Sequence, residues 1–383
     1  MIKYIGVDDN DIKLFENQYV VPAGMSYNSY LILDEKVAIM DTVDARKGDE
    51  WLAKLTEALG DRTPDYLVVH HLEPDHSGLI AEVVSRWPNI QLVASQRALQ
   101  MLPQFCPQLI NYQLNDRALG VREGDTLSLG EHTLHFIDTP MVHWPEVIMS
   151  FDDATGTLFS ADGFGKFGAL TTDDDWACEA RRYYFNICGK YGAQVQRALQ
   201  KVQKFDVKAI YPLHGPMLTE HLEYYIGLYD TWSRYEVETP GILIAHASIY
   251  GHTQQAAERL ADLLRERTDQ RVVVADLVNE DMAEIIEDAF RMSHLVLASA
   301  TYDGELFPVM STFLHHLKMK NFQKRSVALV ENGSWAPVAA KAMRNVVETM
   351  HDIEFVEPVV TLRTQMTAET EAQLVELAEN LLK

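Results

Sequence analysis

The residues with the clearest potential for chemistry follow the apolar segment DYLVVH. His71, Glu73, Asp75 and His76 fall within six residues, and Pro74 stiffens the loop that carries them. Imidazole and carboxylate side chains together bind hard or borderline metal ions, and this mixture suits iron better than copper or structural zinc. Each residue alone fits a solvated turn equally well. The four together predict a metal site at the end of a strand.

Three further candidate ligands stand at loop-like positions after apolar strands. They are His143 in TPMVHWPE, Asp162 in LFSADGF and His214 in IYPLHGP. A single histidine is often a hydrogen-bonded core or surface residue, so these three gain weight from their order and setting rather than from their type. His70 alternates with His71 along the strand and points to the opposite face, so we interpret it as structural.

The order H-x-E-x-D-H, followed by a later His, Asp and His, resembles the metallo-β-lactamase-like fold and specifically its flavodiiron branch. Zinc hydrolases of that fold usually carry histidine where this sequence has Glu73. The resemblance implies two iron ions, joined by an oxo or hydroxo bridge, at the catalytic centre. It assigns His71, Glu73 and His143 to one iron, Asp75, His76 and His214 to the other, and Asp162 to the bridge between them.

A second candidate site follows the strand ILIAHA and precedes a helix. Hydroxyl groups and free backbone N–H groups at a helix N-terminus can bind an anion. The segment lacks G-x-G-x-x-G, which argues against a dinucleotide, and it could also be an ordinary N-cap sequence. It resembles the phosphate loop of flavodoxins and implies FMN as a cofactor. The residues concerned are Ser248, Ile249, Tyr250, Gly251, His252 and Thr253.

Two later loops also follow strands that are expected to be parallel, and open α/β sheets bind ligands at the carboxyl ends of such strands. One resembles the family's loop around the isoalloxazine ring, with Ala300 at the usual proline position. The other matches a glycine-rich flavin loop less closely, because Ala336 and Pro337 replace the small residues expected there. With the segment 248–253 counted as the first flavin loop, two more loops carry predicted flavin residues. They are Ala300, Thr301, Tyr302, Asp303 and Gly304 in the second flavin loop, and Asn332, Gly333, Ser334 and Trp335 in the third.

The elements that must position these residues change character along the chain. The first part mixes short β patterns with helical stretches, and the string VETPG breaks a helix near residues 237–241. Five buried strands then alternate with helices, a pattern typical of a doubly wound parallel sheet. We predict α/β and α+β architecture: a metallo-β-lactamase-like αββα sandwich over 1–240 and a flavodoxin-like, five-stranded parallel sheet over 241–383.

Composition excludes several classes of protein. The 383 residues carry 33 basic and 56 acidic side chains, a formal net charge of −23, which argues against a nucleic-acid or anionic-membrane partner. The three cysteines form no C-x-x-C pair, so a disulfide framework or thiolate metal site is not expected. The sequence shows neither a signal-peptide h-region nor an apolar run of about 18 residues. We therefore expect a cytoplasmic protein.

The resemblance also implies a function. Flavodiiron proteins are oxidoreductases that reduce dioxygen to water, nitric oxide to nitrous oxide, or both, with electrons relayed through FMN. Since no rubredoxin-like C-x-x-C module follows Lys383, the sequence is similar to the shortest, two-domain class A and is expected to need an external donor. A separate rubredoxin is the first candidate and a reduced deazaflavin the second. A head-to-tail homodimer, or a dimer of dimers, is expected.

Two alternatives remain open from the sequence. One is a zinc-dependent metallo-hydrolase fused to a flavodoxin electron carrier, which the carboxylate at Glu73 disfavours. The other is a flavin electron carrier whose first domain is only a docking scaffold. Neither the ligands nor the loops distinguish dioxygen from nitric oxide, since that preference depends on groups around the ligands.

Overall fold

The computed structural model describes residues 1–112, 117–172 and 175–383. The chain forms two compact units. The first contains Met1–Tyr184 and Tyr191–Asp230, and the second contains Phe185–Lys190 and Thr231–Lys383. The sequence-based domains, 1–240 and 241–383, stay our proposal for the functional division of the chain.

The first unit is built mainly from short strands. They are β1 (Ile2–Tyr4), β2 (Val7–Asp9), β3 (Leu14–Phe15), β4 (Tyr19–Val20), β5 (Met25–Tyr27), β6 (Tyr30–Leu33), β7 (Val37–Met40), β8 (Tyr66–Val69), β9 (Gln91–Ser95), β10 (Ala118–Val121), β11 (Thr126–Ser128), β12 (Thr133–Asp138), β13 (Ile148–Asp152), β14 (Thr157–Phe159) and β15 (Ala209–Tyr211). One sheet has the order β1-β6-β7-β8-β9-β10 and the other β11-β12-β13-β14-β15. The pairs β2–β5 and β3–β4 form two short antiparallel ribbons.

Both larger sheets change from antiparallel to parallel pairing. In the first sheet, β1, β6 and β7 are antiparallel, whereas β7, β8, β9 and β10 run parallel. In the second sheet, β11 to β14 pair antiparallel along the described strands, and β14 and β15 run parallel. Parallel neighbours place their carboxyl ends at one edge of the sheet, and the loops that follow these strands therefore meet there.

The two sheets pack face to face. Alternate residues of each strand point to the shared core, because side chains alternate across a strand. Tyr30 and Ile32 of β6 lie in one buried cluster with Leu134 and Phe136 of β12 and with Phe159 of β14. This is the inner layer of the predicted αββα sandwich, and the fold class is confirmed.

Helices accompany the sheets of the first unit. In α1, Trp51, Leu55 and Leu59 recur at every fourth position and are buried, as expected for an amphipathic helix. The α-helices that begin in this unit are α1 (Gly48–Leu59), α2 (Pro74–Ser77), α3 (Ile80–Arg86), α4 (Gln96–Phe105), α5 (Trp176–Ile187), α6 (Gly192–Val202) and α7 (Leu222–Ser233). Short 3₁₀ helices span Ala45–Lys47, Pro107–Tyr112 and Gly189–Tyr191.

The second unit has the predicted doubly wound sheet. Its strands are β16 (Thr239–Ala247), β17 (Arg271–Asp276), β18 (Met292–Tyr302), β19 (Glu305–Leu306), β20 (Gln323–Asn332) and β21 (His351–Leu362). The order β17-β16-β18-β20-β21 is parallel throughout, and β19 pairs antiparallel with the end of β18. Counted along the chain, the five parallel strands follow the flavodoxin-like order 2-1-3-4-5.

Helices cover both faces of this sheet. They are α8 (His252–Arg265), α9 (Met282–Arg291), α10 (Pro308–Met319), α11 (Ala339–Val347) and α12 (Ala368–Leu381). Ile242 and Ile244 of β16 lie in one core with residues of α8 and α12. The alternating Leu243 and Ala245 are equally buried and point to the opposite face. Strands buried on both faces explain the continuous apolar runs in the sequence.

Within the described ranges, none of the helices combines the length and the apolar character that crossing a lipid bilayer requires.

Candidate metal centre and flavin site

The structure brings all seven predicted metal-ligand residues together at strand ends of the first unit. His71 and Glu73 follow β8, Asp75 and His76 lie in α2, and the remaining three lie in the loops after β12, β14 and β15. Their ligand atoms form two groups, within each of which all atoms lie within 4.8 Å of one another. The first group contains His71, Glu73, His143 and Asp162, and the second contains Asp75, His76 and His214.

The spacing in the first group is that of atoms around a common ion. His71 Nε2 lies 3.3 Å from His143 Nε2 and 3.2 Å from Glu73 Oε2, and His143 Nε2 lies 3.0 Å from the same oxygen. Atoms that each stand about 2.1 Å from one metal ion lie about 3.0 to 3.4 Å apart in octahedral or tetrahedral geometry. The three side chains therefore fit the ligand set of a single ion.

The second group repeats this arrangement. His76 Nε2 lies 3.0 Å from His214 Nε2, and Asp75 Oδ2 lies 3.3 Å from both nitrogens. Two imidazole nitrogens at this distance share either a proton or a cation. The side chains of His76 and His214 are fully buried, so bulk water does not reach this contact.

Asp162 stands between the two groups. Its Oδ2 lies 3.0 Å from His143 Nε2, and its Oδ1 lies 3.3 Å from His76 Nε2. The residue is fully buried, yet within the described part of the chain neither oxygen accepts a hydrogen bond of ordinary geometry, and the same holds for both oxygens of Asp75. A buried carboxylate without hydrogen bonds is costly unless a cation compensates its charge. These orphaned oxygens fit a pair of metal ions with Asp162 shared between them.

The electrostatics of the metal-free protein point the same way. Burial raises the pKa of Asp162, but the charge of His71 and the close approach of His143 and His76 outweigh burial and hold it well below the usual range. Burial lowers the pKa of His143, whereas Asp162 and Glu73 raise it more strongly, to about 9. Burial lowers the pKa of His71, but the charge of Asp162 raises it, and the pKa lies well above its usual value. The cluster holds protons where cations would bind.

A surrounding layer of contacts orients the candidate ligands. Glu146 Oε1 accepts hydrogen bonds from His71 Nδ1 at 2.8 Å and from Leu72 N at 3.0 Å. His214 Nδ1 donates to Ser26 O at 2.7 Å. These bonds leave Nε2 of each histidine to face its group. Sequence reasoning missed both partners: Glu146 could have been noticed three residues after His143, whereas no signal marks Ser26.

His70 lies outside both groups. Its Nδ1 lies 2.5 Å from Asp41 Oδ2, its Nε2 lies 2.8 Å from Ser150 Oγ, and its backbone N donates to Asp41 Oδ1 at 2.7 Å. All three residues are buried. His70 therefore joins the two sheets directly beside His71, which agrees with the structural interpretation of this residue.

The predicted flavin residues of the second unit meet around one cavity of about 430 Å³. It lies at the carboxyl ends of β16, β18 and β20, which includes the switch point where ligands bind in such sheets. All predicted positions except Gly251 line it, and Ala336 and Thr364 line it as well. Gly251 instead shapes the turn, since it precedes α8 with φ +87° and its N–H donates to Ser248 Oγ at 3.1 Å.

The polar groups of this cavity suit an anion and a planar ring. The first turn of α8 presents backbone N–H groups, and the hydroxyl-bearing Thr253 is buried beside them. Among the residues that the structure describes, His252 Nδ1 has no hydrogen-bond partner. At the other side, Tyr302 and Trp335 are exposed aromatic side chains, Trp335 by 90%. Hydroxyl and amide donors for a phosphate, together with aromatic surface for a ring, fit FMN.

Hydrogen bonds hold the flavin loops to one another. Thr301 Oγ1 accepts from Val338 N at 3.0 Å and from Ala339 N at 3.3 Å, so the second loop caps α11. Glu331 accepts from Ala340 N at 2.8 Å and from Thr361 Oγ1 at 2.9 Å. The third loop, whose sequence match was the loosest, is thus fixed on both sides.

Comparison with known proteins gives consistent similarities. The family model described as ODP family beta lactamase matches residues 25–215. Diflavin flavoprotein A 1 of Nostoc sp. is 29% identical over 382 residues, which cover 97% of this chain and 63% of that protein. The anaerobic nitric oxide reductase flavorubredoxin of Vibrio vulnificus is 26% identical over 353 residues, which cover 87% of this chain and 69% of that protein.

The fold has solved counterparts. Rubredoxin oxygen:oxidoreductase from the anaerobe Desulfovibrio gigas superposes with a TM-score of 0.90 at 22% identity, covering 99% of this chain and 96% of that one. At this identity the likeness shows the fold. The chain spans less than two thirds of the length of the first curated relatives that it matches.

Metal binding should release protons. Because the pKa of His143 is raised to about 9 in the metal-free protein, this residue is protonated at pH 7, and a cation on Nε2 must displace its proton. Affinity should rise with pH up to about pH 9, by about tenfold per pH unit for each proton released. Anaerobic Fe²⁺ titrations at pH 6.5, 7.5 and 8.5 measure this dependence, and an affinity that does not change with pH would contradict it.

Glu146→Gln should weaken metal binding at the first group. The substitution preserves shape but removes the charge that makes His71 a better ligand, and changes of this kind cost about 10- to 100-fold in metal affinity. Competition with a chelator measures the two affinities separately. The second group should be unaffected, and the exposed control Glu131→Gln should change neither affinity. Equal losses at both groups would show a general structural defect instead.

Thr253→Ala should weaken FMN binding. Thr253 is buried in the first turn of α8 and lines the flavin cavity, so its hydroxyl is available to a phosphate there. We expect a dissociation constant about fivefold higher, corresponding to one net hydrogen bond. Quenching of flavin fluorescence on titration of the flavin-free protein gives the value. The exposed control Thr349→Ala lies outside the cavity and should bind FMN as the unmodified protein does.

Proposed function

Because the chain belongs to the flavodiiron protein family, we propose that it is an oxidoreductase that reduces dioxygen, nitric oxide or both at a non-haem diiron centre. Electrons reach that centre through FMN from an external donor. The observation that carries the proposal is the position of Asp162, one oxygen of which faces each group of ligand atoms.

The chemistry of the donor set supports iron. Each group combines imidazole nitrogen with carboxylate oxygen, and the described ligand groups of the first unit contain no thiolate. Three carboxylates offset most of the charge of two ferrous ions and leave room for a bridging oxygen species. Glu73 takes the position at which zinc hydrolases of this fold usually carry histidine. Harder oxygen ligation of this kind favours iron over zinc.

The protein supplies orientation and shelter to this centre. When bound, the iron pair and FMN together supply up to four electrons, as many as the reduction of dioxygen to two waters needs. Glu146 and the Ser26 carbonyl fix the rings of His71 and His214 through their Nδ1 atoms. With their Nδ1 atoms engaged in this way, His71 and His214 would hold metal ions through their Nε2 atoms, and the ions would supply Lewis-acid and redox chemistry there.

Aromatic side chains limit the access of water. The ring of Trp144 meets that of His71 edge-on, with centroids 5.1 Å apart, and the rings of Phe15 and Tyr27 pack against His214 at 5.5 and 6.0 Å. A cleft of about 300 Å³ is lined by Glu73 and Asp75. Its other lining residues are both polar and apolar: Ile12, Leu14, Phe15, Glu16, Asn17, Tyr27, Asp44, Arg46 and Pro74. The cleft offers a small diatomic gas a route to the ligand residues.

Both gases stay in the proposal because the similar proteins point to both. The name of the Desulfovibrio gigas protein refers to oxygen and rubredoxin, and that of the Vibrio vulnificus protein refers to nitric oxide. By analogy with these names, we propose a rubredoxin-type donor. The coupling of two nitric oxide molecules needs two electrons, which is half the number that the reduction of dioxygen to two waters needs. The head-to-tail dimer stays a prediction.

Asp162→Ala should abolish turnover of both gases. The substitution removes the only predicted bridging side chain, so at least one metal should bind more weakly. Turnover is measured with iron-loaded protein and a chemically reduced donor, under anaerobic conditions with each gas in turn. The surface control Asp153→Ala should retain full activity, because that exposed carboxylate pairs with His135 and belongs to neither ligand group.

Two outcomes would contradict the proposal. Full turnover by Asp162→Ala with two bound irons would remove the proposed role of this residue. Metal analysis that finds zinc and no iron, in protein prepared both aerobically and anaerobically, would instead favour the zinc hydrolase fused to a flavodoxin.

A further inference from the structure

A fourth segment of the chain lies at the flavin cavity, beyond the three loops that the sequence indicated. Thr364 follows β21, the edge strand of the sheet, and lines the cavity with the residues of those loops. In sheets of this topology the ligand is expected at the switch point between the first and third strands, which β21 does not border. The presence of Thr364 at this cavity therefore needs an explanation of its own.

Thr364 has an unfavourable backbone conformation. Its φ is +72°, and Gln365 N donates to Arg363 O at 3.2 Å, so it is the central residue of a three-residue turn with positive φ. This region is particularly unfavourable for a β-branched residue. Strain of this kind persists only where surrounding contacts enforce it, and it is concentrated at ligand sites.

The enforcing contacts come from the third flavin loop. Asn332 Oδ1 accepts from Thr364 N at 3.0 Å, and Asn332 Nδ2 donates to Thr364 O at 2.9 Å. One side chain thus satisfies both backbone polar groups of the strained residue. Ser334 Oγ lies 2.9 Å from Thr364 Oγ1, and Gly333 N donates to Leu362 O at 3.1 Å. The turn and the loop are held as a single piece.

These contacts leave the Thr364 hydroxyl at the cavity, next to Ser334, and both residues are exposed. The backbone bonds to Asn332 would fix the turn whatever the side chain, because they use only main-chain atoms of residue 364. Glycine would occupy the same turn without strain. Beyond these backbone bonds, the Thr364 side chain contributes a hydroxyl whose contact, with Ser334 Oγ, lies at the cavity.

We propose that Thr364 is a flavin-binding residue, and that its strained turn is retained to hold its hydroxyl, with that of Ser334, towards the bound FMN. The inference rests on the proposed function, because it takes FMN as the ligand of this cavity. The segment after β21 is then a fourth part of the flavin site, in addition to the three flavin loops.

The side-chain and backbone contributions can be separated with three variants of Thr364 in the full chain. Thr364→Gly removes both the strain and the hydroxyl, Thr364→Val removes the hydroxyl and keeps the branched shape, and Thr364→Ser keeps the hydroxyl. Asn321→Gly is the matched control, because Asn321 also has a positive φ, of +65°, and does not line the cavity. For each protein, the melting temperature without flavin and the dissociation constant for FMN are measured.

Opposite effects on stability and binding are expected for Thr364→Gly. Relief of strain outweighs the additional chain entropy of glycine, so the flavin-free melting temperature should not fall. The FMN dissociation constant should nevertheless rise about fivefold, as for one lost hydrogen bond, and Thr364→Val should show the same rise. Thr364→Ser should bind FMN normally, and Asn321→Gly should change only the melting temperature.

The inference is overturned if Thr364→Gly and Thr364→Val bind FMN as tightly as the unmodified protein. It is also overturned if weaker binding occurs only together with a lower flavin-free melting temperature, since the turn would then be purely structural. If the unmodified protein does not bind FMN at all, the proposed function is contradicted. This result differs from normal FMN binding by the Thr364 variants, which contradicts only the role of Thr364.

Discussion

Buried carboxylates at the centre of the first unit impose the constraint on which the structure depends. Among the described residues, no group donates a hydrogen bond of ordinary geometry to the buried oxygens of Asp75 and Asp162, and imidazole nitrogens face them at 3.0 to 3.3 Å. Such an arrangement is costly for the chain alone, because charges out of water need partners of opposite sign. Two metal ions at the proposed positions would offset this cost.

The architecture follows from that requirement. Ligands that lie far apart in sequence can meet only where several strands end together, and parallel neighbours such as β14 and β15 provide such an edge. Contacts beneath the ligands then fix their direction. His70, Asp41 and Ser150 join the two sheets beside His71, and Glu146 orients its ring. The second unit uses the same principle, since its flavin cavity also lies at the ends of parallel strands.

Much of this organisation could be predicted from the sequence. The cluster from His71 to His76 is local, so residue types and spacing were sufficient to suggest a metal site. His143, Asp162 and His214 carry no such local signal, and their assignment required a family resemblance. The five buried strands of the second unit were predictable because parallel strands covered on both faces have continuous apolar runs.

The residues that were missed act through tertiary contacts. Glu146 is an ordinary acidic residue in sequence and becomes a partner of His71 only when two distant loops meet. Thr364 lies in a short turn whose positive φ is imposed by Asn332, 32 residues earlier. Neither periodicity nor spacing records such a contact. Residues around a ligand shell are therefore the least predictable part of a site, although they determine its affinity and selectivity.

Anomalous diffraction from crystals of iron-loaded protein, recorded on both sides of the iron and zinc absorption edges, tests the central claim most directly. The account predicts two iron peaks, one within the group of His71, Glu73 and His143 and the other within that of Asp75, His76 and His214, with Asp162 between them. A single peak, a peak that appears only at the zinc edge, or metal bound away from Asp162 would contradict it.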